Sequence, residues 1–91
     1  MNSPLNKLQQ LMVLTMEESG ELTQICSKMI RKYGDQKEIE EQQRKLLIEE
    51  AGDVYCMIKL MVEHDLMNWD ELEKRVKFKN KKLKVWSDLI N

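Results

Sequence analysis

Along the first third of the chain an apolar stripe recurs at Leu8, Leu11, Leu14 or Thr15, then Leu22, Ile25 and Met29. This three-and-four spacing turns one face of a helix toward a core. The stripe runs to about Lys32, where "KYGD" interrupts it. Ser3 followed by Pro4 predicts the helix start, because serine can cap and proline has no N–H to leave unpaired in the first turn. Gly34 is expected to cap the C-terminal end, and Asp35 with Glu38 has the spacing of a capping box for the next helix. "IEEQQRK" is too polar for its periodicity to be read, and is expected as a separate short helix or a loop. Strong apolar spacing returns from Leu46 to about His64. "HDLMNWDEL" breaks it, with Asn68 or Asp70 as the next cap. A third helix then runs toward Trp86, with Ser87 capping a last short turn. The expectation is one all-α domain over residues 1–91, an antiparallel bundle of three to four helices.

Composition supports the helices. Leu, Met, Glu, Lys and Gln dominate, with three glycines and one proline in 91 residues. A chain this short, building a few long helices, is expected to complete its core by homo-oligomerisation. Cys26 and Cys56 fit no metal spacing and fall among apolar residues, so reduced core thiols are expected. No apolar run approaches a membrane span, and "MNSPLNKLQQ" lacks a signal-peptide hydrophobic region. A soluble cytoplasmic protein without a membrane partner is the expectation.

The stripe has two interruptions, and they are nearly the same word. "EESGEL" occupies 17–22 and "EEAGDV" occupies 49–54. Continuing from Leu11 and Leu14, the first stripe meets Glu18 and Glu21 before it returns to Leu22 and Ile25. Leu46 and Leu47 likewise lead to Glu50 and Asp53, then to Val54, Met57 and Met61. Residues three apart share a helix face, and a turn near Gly34 would set the two pairs against each other. An ionised carboxylate taken out of water costs several kcal/mol unless it is paired or ligates metal. Lys28 and Lys59 cannot neutralise four acids at once. A divalent cation can, and Mg²⁺ prefers carboxylate oxygen while keeping positions for phosphate oxygens. Gly20 and Gly52, each one residue before the last acid, leave clearance for another helix, a ligand or a solvated metal. ExxE and ExxD spacings also arise by chance in a chain this acidic. Two of them, both on an apolar stripe and both with that glycine, favour a metal site over solvated helix faces.

Charge is segregated around a formal total of -1. Acids load the first two thirds, while Lys74, Arg75, Lys77, Lys79, Lys81, Lys82 and Lys84 crowd one segment. An acidic centre with a basic arm suits a metal-bound anion such as a nucleotide phosphate, and charge distribution alone fits equally a pair of solvated, oppositely charged helix faces. Set against so much acid, one basic helix argues against a nucleic-acid partner, whose mark would be affinity falling steeply with salt.

These acidic words resemble the signature of the MazG-like, all-α nucleoside triphosphate pyrophosphohydrolases, ExxE on one helix and ExxD on the next. The resemblance covers roughly residues 8–84, with its specific part in Glu18-Ser19-Gly20-Glu21 and Glu50-Ala51-Gly52-Asp53. It implies Mg²⁺-dependent cleavage of a nucleoside triphosphate between the α and β phosphates, by a dimer or tetramer, with Mn²⁺ as a possible substitute. It makes Glu18, Glu21, Glu50 and Asp53 metal ligands, with Glu17 as an outer ligand or water-orienting acid. It also implies nucleotide contacts from Lys77 and Asn80. The family's arginine is absent, and Lys81 or Lys84 would stand in for it without the bidentate fork. A ferritin-like di-iron bundle fits poorly, since the sole histidine, His64, has Met61 rather than Glu three residues before it. A non-catalytic helical dimer acting as an interaction module is the other reading.

Overall fold

A computed structural model describes residues 4–91. Among them are three α-helices and one 3-10 turn, with no strand: α1 Lys7–Lys32, the turn Gln36–Glu38, α2 Glu41–Glu63 and α3 Trp69–Trp86. The chain is all-α, as its periodicity predicts. It divides into two compact units, Met1–Leu60 and Met61–Asn91. No described helix is long and apolar enough to cross a membrane.

Helix α1 begins later than expected. Ser3 lies outside the described residues, and Pro4 precedes the helix instead of opening it. Asn6 is the cap: its Oδ1 accepts from the Gln9 amide at 2.8 Å, and the Gln9 side chain accepts from the Asn6 amide at 3.1 Å. This reciprocal pairing satisfies two amides that the first turn cannot bond internally. At the other end Gly34 is no left-handed cap, since no glycine has positive φ. Tyr33 ends the helix in extended conformation, its amide still donating to the Met29 carbonyl. Asp35 and Glu38 form no box for α2 either. Asp35 caps the 3-10 turn through the Lys37 amide, and Glu38 accepts from the Gly34 amide at 2.9 Å. Most of the polar stretch "IEEQQRK" is the start of α2.

In the first unit, α1 and α2 run antiparallel. Lys32 and Glu40 meet across the connection at 4.0 Å, and the acids midway along both helices converge. The seam on α1 is Leu11, Thr15, Glu18, Leu22, Ile25 and Met29, of which Leu11 and Ile25 are buried and the others half-buried. On α2 the half-buried positions of this unit are Gln43, Leu46, Leu47, Glu50, Val54, Met57, Ile58 and Leu60. Of the two alternatives for one stripe position, Thr15 is on the seam and Leu14 is exposed; Leu8, expected inside, is also exposed, because one helix packed on one helix covers a strip narrower than the full apolar stripe. Cys26 and Cys56 are free thiols but exposed, not core residues. Each lies one position off the seam, about 100° around the helix.

In the second unit, Asn68 caps α3 by the same reciprocal device, with Glu71 as its partner. Asp70 and Glu71 in the first turn and Lys84 in the last suit the helix dipole. Between α2 and α3, Asp65 has φ 59°, with the Leu66 amide on the Met61 carbonyl and the Asp65 amide on the Val62 carbonyl. These two bonds form a Schellman cap, whose left-handed residue is cheapest as glycine. Asp65→Gly is expected to stabilise the protein by about 0.5–1 kcal/mol, read as a higher urea midpoint with unchanged slope.

Candidate metal centre

Four turns of helix bring the acids together. Glu18 and Glu21 rise from successive turns of α1, and Glu50 and Asp53 from successive turns of α2. One oxygen from each lies within 4.8 Å of the others. All four belong to the first unit. The sequence treats the four as equivalent; the structure ranks them. Glu18 and Glu50 stand on the seam and are half-buried, while Glu21 and Asp53 stand at its edge and are exposed. Glu17 and Glu49, the leading acids of the two words, are exposed.

Electrostatics follow from this ranking. Glu18 is raised from the ordinary glutamate pKa, first by the loss of water around it, then by the charges of Glu21 and Asp53. A proton shared with Asp53 and the charge of Glu17 add to this. Glu50 is raised chiefly by a proton shared with Glu21, then by burial and by the charges of Glu21, Asp53 and Glu18. Two carboxylates can share a hydrogen bond only when one holds a proton. With all four ionised, Glu18 Oε2 and Glu50 Oε2 are shut off from water and accept no hydrogen bond. Among the described residues no lysine or arginine pairs with them; the ion pairs are Lys32–Glu40 and Arg44–Glu41. Buried acceptors without a donor are costly, and a hard divalent cation is the partner an all-carboxylate set suits best.

The glycines are not there for helix packing. A Cβ built on Gly20 or Gly52 meets no atom within 4 Å, so neither admits another helix of this chain. Gly20→Ala and Gly52→Ala are each expected to stabilise the metal-free protein by about 1 kcal/mol. Thermal unfolding checks this. A loss of metal affinity in the same variants would mark the open space as ligand clearance.

Of the remaining sequence-predicted residues, Lys77, Asn80, Lys81 and Lys84 all stand on α3, in the second unit. Asn80 is half-buried and the three lysines are exposed. Trp86, at the end of α3, is 84% exposed and so is no core residue of this chain.

Fold and site together define a class: an all-α chain with a four-carboxylate cluster shared between two antiparallel helices. Comparison with known protein families, with curated proteins and with solved structures finds no match. The likeness to the MazG-like enzymes therefore rests on the two acidic words themselves.

Proposed function

We propose that this chain is a Mg²⁺-dependent nucleoside triphosphate pyrophosphohydrolase, releasing a nucleoside monophosphate and pyrophosphate. The observation that carries this reading is the convergence of Glu18, Glu21, Glu50 and Asp53 into one cluster containing two carboxylate oxygens without a hydrogen-bond donor. These four residues would hold the cation. Mg²⁺, when bound there, supplies charge neutralisation for a triphosphate. The chain's own contribution is positioning. The α1 and α2 seam fixes the carboxylates. Glu17, exposed beside them, orients the attacking water and takes its proton as the water adds to phosphorus. The anhydride P–O bond breaks, and pyrophosphate departs with the electron pair. Lys77, Asn80, Lys81 and Lys84 are the α3 residues that the resemblance assigns to the nucleotide. The three lysines are exposed and pair with no carboxylate among the described residues.

The same reading includes a homodimer or homotetramer. Leu8, Val13, Met16 and Ile30 of α1 and Ile48 of α2 are exposed within the chain, an apolar load that an obligate interface would cover. That exposure also favours the second reading, a non-catalytic helical dimer serving as an interaction module. A screen of ribo- and deoxynucleoside triphosphates with Mg²⁺, reading pyrophosphate, separates the two. At least one triphosphate is expected to be turned over, and activity with none of them overturns the enzymatic reading.

A further inference from the structure

On α3, one side carries cations interleaved with aromatic rings. Arg75, then Phe78 and Lys79 together, then Lys82, then Trp86 recur at three-and-four spacing, so they share a face. Lys77, Asn80, Lys81 and Lys84 turn to the opposite face. The Arg75 guanidinium lies 4.6 Å from the Phe78 ring centroid, and the Lys82 ammonium lies 5.0 Å from it. Phe78 thus holds two cations in place at the surface by their attraction to its ring. One turn further on, Lys79, Lys82, Leu83 and Trp86 line a recess of about 150 Å³. Trp86 is 84% exposed there. Seven cations and no acid occur between Lys74 and Lys84, and among the described residues none pairs with a carboxylate.

We propose that this face of α3 binds single-stranded nucleic acid, with phosphates on Arg75, Lys79 and Lys82 and a base stacked on Trp86. Two features favour this occupant. Among the described residues, Arg75, Lys79 and Lys82 of this face pair with no carboxylate and are separate from the lysines assigned to the nucleotide, and their run along the helix matches the repeating charge of a polyanion. The rings also stand among the charges rather than apart from them. A helix lying in an anionic bilayer keeps its apolar face free of cations, whereas strand binding places stacking rings inside a basic track. The low net charge of the whole chain argues against nucleic acid from composition, but the cations of this segment are locally uncompensated.

The test is fluorescence anisotropy of labelled oligo(dT) and oligo(U) titrated with the full chain across a salt series. Binding is expected to weaken linearly in log–log form, with a slope of about -0.7 per phosphate neutralised. Trp86→Ala is expected to lose about ten- to hundredfold in affinity. The pair Lys79→Gln and Lys82→Gln is expected to make the slope shallower by about 1.4. Circular dichroism establishes that the variants keep their helices. Three results would overturn the proposal: no binding at low salt, binding unaltered by these substitutions, or phosphatidylserine vesicles bound in place of the oligonucleotides.

Discussion

Glu50→Gln and Asp53→Asn are each expected to reduce Mg²⁺-dependent pyrophosphate release by more than about a hundredfold, while helical circular dichroism persists. Loss of a residue that merely orients a metal ligand costs roughly 10- to 100-fold, and a ligand itself contributes more. The two substitutions should differ in their effect on stability. Glu50 is half-buried, with an Oε2 that has no donor, and glutamine removes its charge while keeping its shape. The metal-free Glu50→Gln protein should therefore be at least as stable as the parent. Asp53 is exposed, where water screens the repulsion its charge exerts on Glu18 and Glu50, so Asp53→Asn should stabilise the metal-free protein by less than Glu50→Gln. Full activity in both variants would remove the enzymatic reading.

Metal binding should raise the melting temperature, and this second effect can be read without any substrate. At a free cation concentration one hundred times Kd, a single site adds about 2.7 kcal/mol. In a domain of this size that corresponds to an increase of about 10–20 °C. Glu18→Gln should abolish most of the increase. The metal-free baseline should depend on pH in a defined direction. Glu18 and Glu50 bind their protons more tightly in the folded chain than in the unfolded one. Between the ordinary glutamate value and the raised one, the folded state therefore carries more protons. Through that window these two groups make stability fall as pH rises, and above it their contribution stays low. Mn²⁺ or Mg²⁺ should cancel the fall at neutral pH by replacing the shared protons. A melting temperature indifferent to both cations would favour the interaction module.

Much of this was legible from periodicity. Side-chain direction around a helix follows from position alone, so the stripe from Leu11 through Ile25 places Glu18 inward, and Leu47 through Met57 does the same for Glu50. Helix ends were less legible. Asn6 with Gln9 has the same box spacing as Asn68 with Glu71, yet Ser3-Pro4 offers a competing start a few residues earlier. Gly34 looks like a left-handed cap, but the residue that adopts that conformation is Asp65. Local signals of this kind name several candidates, and packing selects among them.

The sequence by itself therefore determined the all-helical fold, the two acidic words and the face each occupies, because these depend only on the pitch of a helix. Only the tertiary structure decided how the four acids differ. Depth in the seam shuts one oxygen each of Glu18 and Glu50 off from water and leaves Glu21 and Asp53 at the rim. The distance between two helices, and hence which carboxylates share a proton, is set by how the side chains between them pack. No periodicity along one helix encodes that separation.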